Sequence, residues 1–155
     1  MAIKRLGPNV QVKLVSKVGK DAYGLEVQKE FEREQIDLTT LLCDPNDSTP
    51  FTYVIVNQQN GSRTCIHHPL ASQLSEQNFE DSWLTSSSNN NVDLLFIDSR
   101  HHEAALAAAN VARQRNIPIL LDLEKIRLVK FIHCSFISNL ALDLEWKICY
   151  VLVLC

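Results

Sequence analysis

The stretch VDLLFIDSRHHEAALAAANVARQRNIPILLDLE, residues 92–124, decides the fold class of this chain. Residues 92–98 and 117–124 are short, almost uninterrupted apolar runs, which are typical of strands buried on both faces. Between them, the alanine-rich residues 101–116 have the length and composition of a helix. Because a strand, a crossover helix and a second strand form a parallel unit, the sequence predicts an α/β protein.

The N-terminal part of the chain indicates the same order of elements. Residues 10–18 (VQVKLVSKV) alternate apolar and polar side chains, as a strand does. Residues 19–35 follow as an amphipathic helix with Asp21 as the expected N-cap, and residues 36–43 (IDLTTLLC) are predicted to be a short strand.

Residues 49–69 (TPFTYVIVNQQNGSRTCIHHP) predict an antiparallel hairpin inserted into this α/β chain. Asn60 and Gly61 suit a two-residue type I′ turn, which would place Val56 opposite Cys65. Both faces of such a hairpin carry apolar side chains, and two strands alone are marginally stable. We therefore expect the hairpin to pack on its own domain, a ligand or a second subunit.

Two segments give weaker signals. Residues 71–91 end in TSSSNNN and are polar and turn-rich, which favours a loop. Residues 126–155 contain no glycine or proline, and their apolar positions follow neither the helical nor the strand period. No secondary structure is predicted for them.

Composition excludes several classes of function. The net charge of −3 and the pI near 5.9 argue against a nucleic-acid partner. No apolar run is long enough to predict a membrane span, and the N-terminus lacks a signal-peptide core. Five cysteines without a CxxC pair argue against a disulfide framework. A cytoplasmic protein is predicted, with organelle import still open if the N-terminus is incomplete.

Three segments together resemble the pfkB-type, ribokinase-like carbohydrate kinases. They are RLGPNVQVKLVSKVGKDAYGLEVQKEFEREQIDLT, STPFTYVIVNQQNGSRTCIHHP and DLLFIDSRHHEAALAAANVARQRNIPILLDLEK. The arginine in GSRT makes the resemblance nearest to the ketohexokinase-like and plant pfkB-like branch. The resemblance predicts a partial kinase domain over residues 1–125, with a hairpin lid at about 49–69, and a non-family tail over residues 126–155.

The resemblance implies an incomplete Rossmann-like ribokinase fold, made of parallel βαβ units with an antiparallel hairpin lid. It also implies transfer of the ATP γ-phosphoryl group to a sugar or nucleoside hydroxyl with Mg²⁺, and a homodimer formed through the hairpin. The family carries its catalytic Asp in a Gly-x-Gly-Asp loop. The glycines of this sequence are Gly7, Gly19, Gly24 and Gly61, so residues 62–155 cannot contain that loop.

Two interpretations of function follow. One is a carbohydrate kinase by ancestry whose chain is catalytically incomplete. The alternative is a non-catalytic truncated isoform or gene-model fragment that acts at most as a binding or dimerisation module.

The resemblance also carries candidate site residues onto this sequence. Arg63 matches the lid arginine that reaches nucleotide phosphates in ketohexokinase-like proteins; the alternative is a solvated hairpin arginine. Asp98 ends a predicted parallel strand and matches an acidic residue near metal and phosphate; the alternative is the N-cap of the next helix. Asp122 and Glu124 end the following strand and could help to hold Mg²⁺ through water.

Other chemistry-bearing residues are interpreted as structural. The neighbouring histidines His67 and His68 diverge on a strand, as His101 and His102 do on a helix, so neither pair converges on one metal ion. Cys65 has no evident partner base and is not expected to be a nucleophile.

Lys17 and Lys20 are interpreted as surface charges. Gly19 and Gly24, which flank Lys20, are interpreted as turn glycines rather than a phosphate loop.

Overall fold

The computed structural model describes residues 7–86, 90–98, 100–122 and 149–154, the last range by its backbone. The elements in chain order are β1 (Val10–Gly19), α1 (Ala22–Arg33), β2 (Leu41–Asp44), β3 (Phe51–Val56), β4 (Arg63–His68), β5 (Leu94–Ile97), α2 (His102–Gln114), β6 (Ile119–Leu121) and β7 (Cys149–Leu154). Two short 3₁₀ helices, Glu76–Asn78 and Asp81–Leu84, lie between β4 and β5.

Five of the strands form one parallel sheet in the order β2-β1-β7-β5-β6. The pairing of β5 with β6 across α2 confirms the predicted α/β class and its parallel strand–helix–strand unit. The strand β7 comes from the C-terminal tail, for which the sequence predicted no structure, and pairs with β1 on one side and β5 on the other.

Side-chain alternation along β1 divides the core between the two faces of the sheet. Val10, Val12 and Leu14 belong to one buried cluster, against which Phe31 of α1 packs. Val15, one residue out of that alternation, belongs to a second cluster that contains the buried side of α2. The two helices therefore cover opposite faces, as in a doubly wound sheet.

Alanine allows α2 to lie close to the sheet. The buried residues of this helix are Ala104, Ala105, Ala108, Ala109 and Ala112, which recur at helical spacing. Their small side chains leave room for the larger Leu95 and Ile97 of β5 in the same cluster.

Both helices end in the same hydrogen-bonded motif. After α1, Gln35 adopts a φ of 55° and the amide of Ile36 donates to the carbonyl of Phe31 (3.0 Å). After α2, Asn116 adopts a φ of 56° and the amide of Ile117 donates to Ala112 (2.8 Å). These are Schellman ends, in which a left-handed residue reverses the chain and an apolar residue follows it into the core.

The predicted hairpin forms from β3 and β4, but the predicted turn is wrong. Val56 pairs with Arg63 and Val54 with Cys65, so the loop spans residues 57–62 rather than two residues. The side chains of Asn57 and Asn60 accept hydrogen bonds from the amides of Gln59 and Ser62 (2.8 and 2.9 Å). These two Asx turns stabilise a wider loop in which only Gly61, at φ 69°, is left-handed.

The segment predicted as a loop before β5 contributes to the core. Leu74 is 1% exposed, Trp83 6% and Leu84 0%. Because these residues have polar neighbours in the sequence, hydrophobic periodicity does not identify them as core residues.

Among the described residues, neither helix combines the length and the hydropathy needed to cross a bilayer.

Candidate functional site

A cavity of about 370 Å³ lies where the base of the hairpin faces the carboxyl edge of the sheet. Open parallel sheets bind their ligands at this edge. The sheet side contributes Ser16 and Lys17 of β1 and the residues after β5, and the hairpin side contributes the ends of β3 and β4. The lining residues are Ser16, Lys17, Pro50, Phe51, Thr52, His67, Pro69, Leu70, Gln73, Asp98, Arg100 and His101.

Asp98 follows the last residue of β5 and lines this cavity, in the position that the sequence predicted for it. One carboxylate oxygen accepts a hydrogen bond from the amide of Arg100 (3.0 Å), and the other lies 3.6 Å from Nε of Arg100. The alternative role as the N-cap of α2 is wrong, because that cap is His101.

His101 closes the cavity at the start of α2 and was not predicted to do so. Its backbone is left-handed (φ 48°, ψ 53°) and the residue is 4% exposed. Nδ1 accepts a hydrogen bond from the amide of Leu74 (3.1 Å), so Nδ1 is unprotonated and the proton of the neutral ring lies on Nε2. The contact fixes the loop after the hairpin to the sheet edge.

The hairpin wall presents Thr52 and His67, which form a cross-strand pair. The Oγ1 of Thr52 and the Nδ1 of His67 are 2.9 Å apart. Arg63 lies on the same face of β4, four residues from His67 and about 13 Å farther along the strand. It is exposed and does not line the cavity, so only an inward movement of the hairpin would bring its guanidinium to a ligand there.

Asp122 follows β6 at the same edge of the sheet, where its amide donates to the carbonyl of Ile97 (2.8 Å). Its side chain is exposed and lies outside the cavity lining. Glu124 falls outside the described residues. Within the described ranges, no three His, Cys, Asp or Glu side chains come together as a metal site. Mg²⁺ commonly takes one or two carboxylates and completes its shell with water and phosphate oxygens, which Asp98 and Asp122 fit.

The hairpin enters the sheet edge through a close contact of backbones. Asp21 caps α1 as predicted, accepting from the amide of Gly24 (2.8 Å), and also accepts from the amide and the hydroxyl of Thr49 (2.8 and 2.7 Å). The hydrogen bond from the hydroxyl of Thr49 has the largest effect on the pKa of Asp21. Together, these hydrogen bonds hold that pKa below its ordinary value.

Gly19 and Gly24 permit this close approach. A Cβ at Gly19 would overlap the carbonyl of Asp47, and one at Gly24 would overlap the carbonyl of Gly19. Neither residue has a positive φ. Their interpretation as turn glycines is therefore wrong, because steric room rather than backbone conformation requires glycine.

Lys17 is buried, so its interpretation as a surface charge is wrong; Lys20 is exposed. Nζ of Lys17 lies 2.8 Å from a carboxylate oxygen of Asp44 and 3.3 Å from one of Asp47. Burial by itself lowers the pKa of Lys17, but hydrogen bonds to these carboxylates outweigh burial and leave the pKa above its ordinary value.

The pKa values of Asp44 and Asp47 shift in the opposite direction and are lowered. The hydrogen bond from Lys17 lowers the pKa of Asp44. For Asp47, the hydrogen bond from the backbone amide of Ala71 is the largest cause, and its pKa lies well below the usual range of a carboxyl group. All three groups are therefore charged at neutral pH.

The fold and the site together define an α/β protein with a cavity between a hairpin and the carboxyl edge of its parallel sheet. A sequence profile of the pfkB family carbohydrate kinases matches residues 1–130. The chain belongs to this family.

Several solved structures share the fold of this chain. A fructokinase from Xylella fastidiosa has a TM-score of 0.65 and 16% sequence identity, covering 80% of this chain and 38% of its own. The same enzyme with bound ATP gives a TM-score of 0.64, 16% identity, and coverage of 80% and 39%.

A PfkB protein from Polaromonas sp. JS666 gives a TM-score of 0.60 and 18% identity, covering 72% of this chain and 39% of its own. The chain thus spans less than half the length of the structures it resembles. No curated relative matches the sequence.

Proposed function

We propose that the cavity binds the sugar or nucleoside substrate of a pfkB-type carbohydrate kinase, with the hairpin as its cover. One observation carries the proposal: Asp98 at the sheet edge and Thr52 and His67 of the hairpin line the same cavity. Carboxylate, hydroxyl and imidazole groups in a partly apolar cleft suit a ligand with several hydroxyl groups.

In this proposal, Asp98 accepts hydrogen bonds from ligand hydroxyls, and Phe51 and Leu70 supply apolar contact. Arg63 binds the phosphates of ATP after the hairpin moves inward, since its forked donors match phosphate oxygens. Asp98 and Asp122 hold Mg²⁺ through water, and the metal would neutralise charge on the transferred phosphoryl group.

Phosphoryl transfer itself needs a catalytic base and an anion hole that we do not assign to any residue here. The family resemblance locates both in a Gly-x-Gly-Asp loop, which the glycine positions of this sequence exclude. We therefore propose that this chain binds substrate and does not by itself turn over ATP.

Isothermal calorimetry with a panel of sugars and nucleosides tests binding, and a coupled assay for ADP tests turnover. We expect one class of ligand to bind without ADP release. Asp98→Asn should weaken binding by about tenfold or more, because it removes a charge-assisted hydrogen bond. Asp81→Asn, at an exposed carboxylate 3.0 Å from Arg115, is the matched control and should leave affinity unchanged.

Absence of binding across the panel would contradict the cavity assignment. ADP release that Asp98→Asn abolishes would contradict the binding-only part of the proposal and restore full kinase activity as the better interpretation.

A second candidate is a dimerisation module, and the outer face of the hairpin favours it. Tyr53 is 59% exposed, Ile55 58% and Ile66 55%, all on the face opposite Thr52 and His67. Burial of such a face against a second copy would remove apolar area from water. Light scattering of the wild type and of Ile55→Glu tests it: a dimer that the charge dissociates supports the proposal, and a monomeric wild type contradicts it.

Two finer assignments are also proposals. The GSRT arginine supports a place near the ketohexokinase-like branch of the family. The free thiols of Cys43 and Cys65 in the described part of the chain support a reducing compartment, and hence the cytoplasm.

A further inference from the structure

The loop between β3 and β4, residues 57–62, contains the dipeptide Asn60–Gly61. In this dipeptide the backbone nitrogen of the second residue can attack the side-chain carbonyl carbon of the first, because glycine has no Cβ to crowd the ring that forms. Every residue of the loop is exposed, so water reaches both groups. No atom lies within 4 Å of the place that a Cβ of Gly61 would take. The loop therefore leaves room for the attack.

The side chain of Asn60 is held in a conformation that favours this attack. Its Oδ1 accepts a hydrogen bond from the amide of Ser62 (2.9 Å), which forms an Asx turn. Such a turn folds the side-chain carbonyl over the peptide bond that follows it. The amide of Ser62 also stabilises the negative charge that develops on Oδ1 when a nucleophile adds to Cγ, as the donors of an oxyanion hole do.

One contact opposes the attack. The amide of Gly61 donates to the carbonyl of Asn57 (2.9 Å), and this hydrogen bond must break before the nitrogen reaches Cγ of Asn60. A hydrogen bond of this kind, between exposed neutral groups, lowers the rate by about tenfold at most. The loop therefore slows the attack without preventing it.

Other asparagines of the chain provide a matched comparison. Asn60 is the only asparagine in the sequence that precedes a glycine. Asn57 is the best control, because it is exposed in the same loop and its side chain forms an Asx turn with the amide of Gln59 (2.8 Å). The residue after Asn57 is Gln58, whose side chain crowds the ring that would form. Exposure and turn geometry are thus shared, and the following residue differs.

We propose that Asn60 deamidates spontaneously in the native protein. Hydroxide from the solvent removes the amide proton of Gly61, and the nitrogen of Gly61 forms a bond to Cγ of Asn60. The bond between Cγ and Nδ2 breaks, and the leaving nitrogen takes a proton from water and departs as ammonia, which regenerates hydroxide. Water then adds to one of the two carbonyl carbons of the succinimide and breaks its bond to the ring nitrogen. The products have aspartate or isoaspartate at position 60.

The modification changes the charge of the hairpin. Arg63 is the only Lys, Arg, Asp or Glu between Thr49 and Pro69, so a carboxylate at position 60 cancels the formal charge of this segment. Isoaspartate also lengthens the main chain of a loop that is closed by the hydrogen bond from the amide of Asn57 to the carbonyl of Ser62 (2.8 Å). The proposal concerns the covalent chemistry of the loop and does not depend on any ligand or on catalysis.

Incubation of the full chain at neutral and at mildly alkaline pH tests the proposal. Digestion and mass spectrometry then measure the conversion of a side-chain amide to a carboxyl group, and fragment ions distinguish position 57 from position 60. Labelling by an isoaspartate methyltransferase detects isoaspartate independently. The test variants are Asn60→Gln and Gly61→Ala, and Asn57 is the internal control. A synthetic peptide of residues 57–64 gives the rate without the structure of the loop.

We expect conversion at Asn60 and none at Asn57, with a rate that rises with pH because the attack needs hydroxide. The rate in the native protein should be within about tenfold of the rate in the peptide, since one hydrogen bond restrains the nitrogen. Asn60→Gln should abolish the conversion. Gly61→Ala should slow it by about tenfold or more, because the methyl group crowds the ring.

Three results would overturn the proposal. The first is a native protein in which Asn60 stays intact while the peptide is converted, since the hydrogen bonds of the loop would then protect the site. The second is equal conversion at Asn57 and Asn60, which would mean that glycine does not decide the reaction. The third is a Gly61→Ala protein that reacts as fast as the wild type.

Discussion

Gln35 and Asn116, which follow the two helices, have a backbone conformation that few residue types favour. Both adopt a left-handed backbone so that Ile36 and Ile117, each 6% exposed, can turn back into the core. Asparagine tolerates this conformation better than glutamine, and glycine tolerates it best. The chain therefore carries strain at Gln35 that another residue would relieve.

Gln35→Gly should accordingly stabilise the protein by about 0.5–1 kcal/mol, by removing the clash of Cβ in the left-handed region. Thermal unfolding should show a melting temperature higher by roughly 1–4 °C. Gln35→Val is the contrasting variant and should lower it, because a β-branched side chain suits positive φ least. Equal melting temperatures for both variants would contradict the assignment of strain.

The ion pairs of Lys17 with Asp44 and Asp47 should make stability depend on pH in two windows. Folded Asp44 and Asp47 have lowered pKa values, so their contribution is complete above the ordinary carboxyl pKa of about 3.9 and disappears as the pH falls below it. Folded Lys17 has a raised pKa, so its contribution is complete below about 10.4 and disappears as the pH rises further.

Melting temperatures of the wild type and Asp47→Asn, measured between about pH 3 and pH 7, check the acid window. We expect the wild type to be the more stable at neutral pH and the difference to shrink toward pH 3. The titratable groups around Asp47 are Lys17, Asp44 and, through Ser48, His68. A difference that stays constant over this range would mean that the charge of Asp47 contributes nothing.

At the scale of elements, the junction of β1, α1 and the segment before β3 depends on two glycines. Gly24 is in the first turn of α1, where alanine normally has the better helix propensity by about 1 kcal/mol. Here the carbonyl of Gly19 and the hydroxyl of Thr49 occupy the space of a Cβ. Sterics should therefore reverse the usual preference.

Gly24→Ala should destabilise the protein by about 1–3 kcal/mol, the usual range for overpacking. Urea unfolding measures the change, and Leu25→Ala, at a 55% exposed neighbour, serves as the control with little effect. A Gly24→Ala protein as stable as the wild type would show that the junction can move apart without loss.

Elements whose sequence pattern lies within the element itself could be predicted, and contacts between distant segments could not. The two apolar runs and the alanine helix of residues 92–124 carry their own period, so the parallel unit was predictable. The Asn60–Gly61 pair favoured a two-residue turn, but the side chains of Asn57 and Asn60 stabilise a wider one. Asp98 follows the end of β5, as periodicity indicated, while its part in binding stays a prediction. Lys17 and His101 were not, because their partners come from segments distant in sequence.

At the scale of the whole molecule, β7 joins what would otherwise be two separate strand pairs. The β2-β1 pair and the β5-β6 pair have contact with each other in the sheet only through β7 among the described strands. Strand order and the choice of a tail segment as the central strand are not encoded in local periodicity. The apolar positions of residues 126–155 follow neither the helical nor the strand period, so periodicity does not single out Cys149–Leu154 as a strand.

Leu152→Pro tests the importance of β7, because proline lacks the amide that a central strand needs on its ladder. Residue 152 pairs with Lys13 on one side and Leu95 on the other. We expect loss of protection in both β1 and β5 by hydrogen exchange and a lower melting temperature. Leu152→Ile keeps the amide and should behave as the wild type. Unchanged protection in the proline variant would show that β7 is dispensable for the sheet.

The position of β7 also governs the time course of biosynthesis. The strand β1 begins at Val10, and its neighbour in the sheet begins at Cys149, so the long segment between them is synthesised before the two can meet. Contacts of such long sequence separation fold slowly, and until they form, the edges of β1 and β5 are open to pairing with other chains. The nascent protein should therefore depend on chaperones for longer than a protein with locally paired strands.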